Sequence, residues 1–308
     1  MDAGRQRFVT AASRSDVGDG WRERRRDGGL VLDVATGETV VAGLSMPHSP
    51  RLYRDRLWLL DSGAGFFGHV DHARATCERL LQRSPRDAAG WDLLGRVLQR
   101  QGDHAAALAP LRQALTLDPD NPAFHNNLGL ALRELGQLAE ARTCFERALA
   151  AKPEHEPAHN NLGLVQMAQG EPQAAVSSFR AAIQARPTYA KAHLNLGNAL
   201  HQLGRAEEAL AAVREAIRLE PFYPEAQNSL GAVLHAQGRP DLAAPCFRRA
   251  LQLRPHYAKA LLNLGNALAD LEQYGEALPC LRQALTLQPL QQPARGGLRI
   301  GRIRKRAQ

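Results

Sequence analysis

Apolar positions along this chain fall at helical spacing, and the whole arrangement then returns as a block. Leu128 and Leu132 lie four residues apart on one stretch, and Ala141, Phe145, Ala148 and Leu149 line the next. These steps of three and four place the residues on one face of a helix. The block recurs every 34 residues: Gly95, Gly129, Gly163, Gly197, Gly231 and Gly265 each follow a leucine. Ala107, Ala141, Ala175, Ala209, Ala243 and Ala277 stand twelve residues after those glycines, and Ala114, Ala148, Ala182, Ala216, Ala250 and Ala284 seven further on. Pro119, Pro153, Pro187, Pro221, Pro255 and Pro289 close the units. Six in-register copies over 204 residues define one repeating architecture.

Each copy predicts two helices joined by a turn. Gly102, Gly136, Gly170, Gly204 and Gly238 occupy that turn in five copies, and Glu272 makes the sixth turn less ideal. The small residues at the signature glycine and first alanine allow close approach of the paired helices. Leu111, Phe145, Phe179, Val213, Phe247 and Leu281 are expected to fill the gap between pairs. The closing proline ends the second helix, because it has no N–H to donate and its ring clashes with the preceding turn.

This pattern resembles the tetratricopeptide repeat (TPR) over residues 88–291, as units 88–121, 122–155, 156–189, 190–223, 224–257 and 258–291. The first unit carries the aromatic expected four residues before the glycine, Trp91, where later units have His125, His159, His193, Gln227 and Leu261. The resemblance implies a mainly α fold, a right-handed superhelical solenoid of six helix pairs. In that family the concave face usually binds an extended peptide or a partner helix. Stability in such an array is nearly a sum of neighbour interfaces, so its ends need caps.

The ends are irregular. Extending the frame backward puts Ala73, Cys77, Leu80 and Pro85 at second-helix positions, so 71–87 reads as a half-repeat whose helix, Asp71 to Arg83, caps the array. Upstream, 1–70 reads as a small antiparallel β segment. Gly29–Gly43 is a hairpin turning near Ala35–Glu38, and Arg56–Asp61 and Phe66–Asp71 are strands around Ser62–Gly65. The phrases SRSDVGDGWRERRRDGG, GLSMPHSPR and RLWLLDSGAGFFGHVD resemble an uncharacterised bacterial β-propeller-like family over residues 5–71, about one blade. Residues 292–308 begin a seventh repeat, with Gln292 to Leu298 aligning on Glu156 to Leu162, and then dissolve into a basic tail.

Composition narrows the function classes. A 44% hydrophobic, 23% charged chain is neither a disordered tail nor a membrane protein. Met1 to Gly20 lacks an apolar core for a secretory signal. Cys77, Cys144, Cys246 and Cys280 have no CxxC spacing, which points to a reducing, cytoplasmic setting. The net charge of +8 concentrates in Arg295, Arg299, Arg302, Arg304, Lys305 and Arg306; without those six only +2 is left. The tail has no interleaved aromatics for base stacking, so it reads as a solvated end rather than a nucleic-acid site.

No nucleophile–base set, carboxylate pair or phosphate loop emerges, so no catalytic residue, metal or cofactor is expected. Gly63 to Gly68 matches GxGxxG but reads as a hairpin turn, without the following helix and parallel strand that a dinucleotide fold needs. His125, His159 and His193 recur at one position, but helices ~8–10 Å apart cannot bring them onto one metal; packing in place of the aromatic is expected. Cys246 and Cys280, one repeat apart, read as small buried hydrophobes. The feature that points to binding is a column of amides two residues before the glycine: Asn127, Asn161, Asn195 and Asn263, with Ser229 in the fifth copy. Asn198 and Asn266, one turn on, widen it. Amides both donate and accept, so such a column suits a peptide backbone. The column resembles the asparagine ladder of O-linked N-acetylglucosamine transferases, whose catalytic domain this chain lacks. The expected function is a non-enzymatic scaffold whose groove takes a peptide or partner protein. One alternative is the recognition arm or fragment of a larger glycosyltransferase-like or propeller–TPR protein, and a third reading is nucleic-acid contact through the basic C-terminal tail.

Overall fold

The computed structural model describes residues 8–11, 29–33, 39–44, 51–53, 56–61 and 66–287, with side chains from residue 74 onward except Thr76. It is mainly α, with thirteen helices among the described residues. The chain divides into two units, 1–117 and 118–308.

In the first unit the backbone pairs antiparallel in two sets. Strands β1 (Phe8–Ala11), β2 (Gly29–Asp33) and β3 (Thr39–Leu44) lie in that order, as do β4 (Arg51–Tyr53), β5 (Arg56–Asp61) and β6 (Phe66–His69). The turns expected at 35–38 and 62–65 lie outside the described residues, as does the glycine pair that opens the GxGxxG phrase. Strand β6 stops at His69, two residues short of the expected Asp71, because helix α1 (Val70–Arg83) already begins at Val70. Helix α1 packs on α2 (Ala88–Arg100), which pairs with α3 (His104–Leu117). Cys77 and Leu81 are its buried residues, whereas Leu80, expected on the packed face, is 54% exposed. Cys77 thus keeps its place in the frame that the later repeats suggest, and the packed position one turn on moves from Leu80 to Leu81.

The second unit holds five helix pairs: α4 (Pro122–Glu134) with α5 (Leu138–Ala151), α6 (Glu156–Ala168) with α7 (Pro172–Ala185), α8 (Ala190–Gln202) with α9 (Ala206–Leu219), α10 (Pro224–Ala236) with α11 (Pro240–Leu253), and α12 (Ala258–Asp270) with α13 (Tyr274–Leu287). The packing unit is a seat and its occupant. A Cβ added to Gly129, Gly163 or Gly231 would stand 2.6 Å from the ring of Phe145, Phe179 or Phe247. The large residue is thus seated on the glycine of its own pair, which corrects the expectation that it fills the gap between pairs. Those three rings are fully buried. Ala175, Phe179, Leu200, Ala209, Val233, Phe247 and Leu268 belong to one continuous core running through successive repeats.

One repeat carries a polar variation in that core. Ser178 Oγ donates to Gln166 Oε1 at 2.7 Å, both residues being buried, at a place where the other repeats have Leu98, Leu132, Leu200, Leu234 and Leu268.

Helix ends follow from local chemistry. Each second helix stops two residues before its closing proline, as at Ala151 before Pro153 and Ala185 before Pro187. The intervening residues, such as Lys152 (φ −139°, ψ 94°) and Arg254 (φ −142°, ψ 92°), are extended, since a following proline disfavours the helical region. Within the pairs, the five turn glycines have φ between +74° and +83°, and Glu272 at the sixth turn is held at +60°. A side chain in that region costs about 1–2 kcal/mol. Glu272→Gly is therefore expected to raise stability by about 1 kcal/mol, after allowance for glycine's extra freedom in the unfolded chain. A urea midpoint equal to or below the parent's would show that the turn carries no strain.

Candidate functional site

In the second unit the first helices of neighbouring repeats touch one another directly, α4 with α6, α6 with α8, α8 with α10 and α10 with α12. They form the inner layer, and each second helix packs outside it between successive first helices. The predicted amide column lies on this inner layer, but most of it is occupied. Asn161 Nδ2 donates to Asn126 Oδ1 at 2.9 Å, Asn195 to Asn160 at 2.8 Å and Asn263 to Asn228 at 2.9 Å. Each bond joins adjacent repeats. Asn126, Asn160, Asn161 and Asn228 are buried, so these amides satisfy one another out of water, where an unpaired polar group would cost about 1–3 kcal/mol. Asn127 takes a long 3.5 Å bond from Asn126.

The column expected to read a ligand is therefore first a set of rivets between repeats. Asn126, Asn160 and Asn228, three residues before the glycine, are its unforeseen half. Their signal in the sequence is a spacing of 35, one more than the period, between each acceptor and its donor. Asn198 and Asn266 behave differently. Asn198 is exposed and Asn266 half-buried, and neither side chain makes a hydrogen bond among the described residues.

A second unforeseen device holds the loops. His125 Nε2, His159 Nε2 and His193 Nε2 lie 2.7, 2.8 and 2.9 Å from the carbonyl oxygens of Pro119, Pro153 and Pro187. Trp91 Nε1 donates to the Pro85 carbonyl at 2.9 Å in the first unit. Imidazole thus replaces indole as an N–H donor, not merely as packing, and Nε2 must carry the hydrogen. Among the described residues no cluster of three or more histidine, cysteine or acidic side chains could hold a metal ion. Cys246 and Cys280, expected to be buried, are half-buried.

Several polar and charged side chains of these repeats pair with one another. His235 Nε2 lies 2.7 Å from Asp270 Oδ2, Arg254 pairs with Glu225 at 2.6 Å, and Arg133 with Glu134 at 2.6 Å. Burial lowers the pKa of His201, which favours its neutral form. Lys191 and Lys259 are exposed and have no ion pair among the described residues. Asn198 and Lys191 on α8, and Asn266 and Lys259 on α12, are thus left without a side-chain partner among the described residues.

Comparison with known proteins follows the same division. A family model described as the cilia and flagella-associated protein 70 C-terminal domain matches residues 123–303, and a TPR repeat model matches residues 95–135. A model described as a domain of unknown function matches residues 1–84. The chain is 31% identical over 100 residues to the cytochrome c-type biogenesis protein CycH of Bradyrhizobium diazoefficiens, covering 32% of this chain and 27% of that protein. The chain therefore spans about a quarter of that relative's length. The structure is similar to one in the crystal structure of the APC/C hetero-tetramer Cut9–Hcn1, with a TM-score of 0.64, 21% identity and coverage of 78% of this chain and 47% of that one. It is also similar to PilW, described as a type IV pilus biogenesis factor, with a TM-score of 0.61, 23% identity and coverage of 67% and 95%. At these identities the likeness is one of fold. These three family descriptions mention neither a propeller nor a glycosyltransferase.

Proposed function

Since the chain belongs to the family of the cilia and flagella-associated protein 70 C-terminal domain, we propose that it is a non-enzymatic interaction scaffold of TPR type. Its inner layer takes an extended peptide segment of a partner protein. The observation that carries this reading is the pair Asn198 and Asn266, amides at the same position two repeats apart, with no partner among the described residues. Two further features support it. Lys191 and Lys259 stand on the same two helices, α8 and α12, seven residues before those asparagines, and favour a segment with acidic residues. The rivets at Asn126–Asn161, Asn160–Asn195 and Asn228–Asn263 hold the layer in register, so a ligand meets a preorganised surface. The N-terminal β segment, read as about one blade, and a cytoplasmic setting complete the proposal.

Peptides selected from a random display library against the wild-type chain provide the test. The double variant Asn198→Ala/Asn266→Ala is expected to weaken them about tenfold, the effect of losing two hydrogen bonds near 0.7 kcal/mol each. Stability should be unchanged, because neither amide bonds within the fold. An unaltered affinity would place the binding surface elsewhere. Asn161→Ala and Asn195→Ala are unsuitable for this purpose, since they break rivets.

A further inference from the structure

Three of the four repeat junctions in the second unit carry several directional latches, and one carries a single exposed hydrogen bond. Between the second and third repeats stand Asn161–Asn126, His159–Pro153 and Arg142–Glu171, the ion pair at 3.0 Å. Between the third and fourth stand Asn195–Asn160, His193–Pro187 and Arg180–Glu208 at 3.1 Å, and the loop that leads across is stiffened by the Arg186 guanidinium over the Tyr189 ring at 4.9 Å. Between the fifth and sixth stand Asn263–Asn228, His235–Asp270 and Arg248–Glu276 at 2.8 Å, and the loop that leads across is stiffened by Arg254 over Tyr257 at 5.1 Å.

At the junction of the fourth and fifth repeats each of these latches has lost a partner residue. Leu194 and Ser229 replace the bridging asparagines, and Gln227 the histidine. Leu242 stands where Arg214 would find its carboxylate, and Arg214 has no ion pair among the described residues. Glu220 replaces the stacking arginine, so Tyr223 faces Glu225 and Glu220; burial and those carboxylates raise its phenol well above the usual range. The continuous core crosses this junction as it does the others; beside it, α8 and α9 meet α10 through an apolar cluster of Leu194, Val213, Ala216 and Ala226 with Ile217, Tyr223 and Leu230, plus one exposed bond from Gln237 Nε2 to Glu207 Oε1 at 2.9 Å.

Apolar contact is non-directional: it resists separation but sets little penalty on sliding. Hydrogen bonds and stacked pairs fix angle and register. We infer that the second unit flexes at the junction between its fourth and fifth repeats, with residues 122–219 and 224–287 moving as two blocks about this greased seam. The seam falls between Asn198 and Asn266, so flexing there changes the distance between the two unengaged amides. The motion itself is independent of whether a peptide binds.

Distance distributions between nitroxide labels read this directly in the full chain without ligand. Labels enter through a non-cysteine amino acid, leaving the native thiols in place. Ala150, Gln184, Arg218 and Gln252 occupy one exposed outer-helix position in successive repeats. The pair 184/252 spans the seam, and the pair 150/218 spans the same number of junctions without it. The seam pair should give a distribution roughly twice as wide, as expected for a hinge or shear element against a rigid one. The surface variant Glu220→Arg/Gln227→His/Leu242→Glu, which rebuilds the latches without touching buried Leu194, should narrow 184/252 and leave 150/218 alone. Equal widths in the wild-type chain would overturn the inference. A seam pair that stays broad in the folded latch variant would overturn it too; if that variant does not fold, the wild-type comparison decides. Unchanged peptide affinity in the Asn198/Asn266 variant would leave this result untouched.

Discussion

Phe179→Ala is expected to lower the stability of the array by about 3–5 kcal/mol, the range for emptying a buried phenylalanine site. The side chain is fully buried in the continuous core, and its ring covers Gly163. Neighbouring helices cannot collapse into the space, because the amide rivets on either side of α6 hold the inner layer in register. Urea unfolding followed by far-ultraviolet circular dichroism checks the value, and a loss under 1 kcal/mol would show that the site collapses freely. The glycine provides a sharper version of the same result. Gly163→Ala alone should destabilise, since a Cβ 2.6 Å from Phe179 Cε1 overlaps a pinned ring. In the Phe179→Ala background the overlap is gone, and the same substitution should become stabilising by about 1 kcal/mol, the helix propensity difference between glycine and alanine. A substitution that changes sign with its neighbour is a direct measure of the seat.

The buried pair Gln166 and Ser178 predicts opposite signs for a single and a double change. Ser178→Ala leaves the Gln166 amide buried beside a methyl group, at a cost of about 1–3 kcal/mol. Adding Gln166→Leu restores the residue found at that position in the other repeats. The double variant should exceed the parent in stability by about 1–2 kcal/mol, because a leucine side chain then gains its full burial. Thermal midpoints of the two variants and the parent check both signs. A double variant less stable than the parent would mean that the polar pair is worth more than the apolar packing it displaces.

The helices, their turns and the closing prolines are legible in the sequence because the same steric requirements recur in each copy. A glycine under a large residue, an alanine at close approach and a positive-φ turn each leave a column of like residues. The rivets escaped that reading for a geometric reason. Contacts between repeats do not run within a column but from one column to its neighbour, so Asn126 and Asn161 appear as members of separate series. The ring clamps escaped it because their acceptors are backbone carbonyls, which leave no mark in residue identity; histidine in place of tryptophan looks like poor packing until the shared N–H is seen. On helix α1 the frame carried backward from the repeats placed Leu80 inside, and the helix instead buries Leu81. A helix covered on one side by a repeat and on the other by something else is not bound to the repeat's face.

The two kinds of contact that join repeats differ in what they ask of the gene. A ring clamp closes between residues six apart in one loop, such as His159 and Pro153. It therefore travels intact with any duplicated or deleted 34-residue segment. A rivet needs an asparagine in each of two different copies, so inserting a foreign copy orphans two buried amides at once. Among the four junctions of the second unit, the one between the fourth and fifth repeats accepts a new copy without that penalty. A copy added or removed there would leave no buried amide orphaned, so the junction proposed to flex is also the one that best tolerates a change in repeat number.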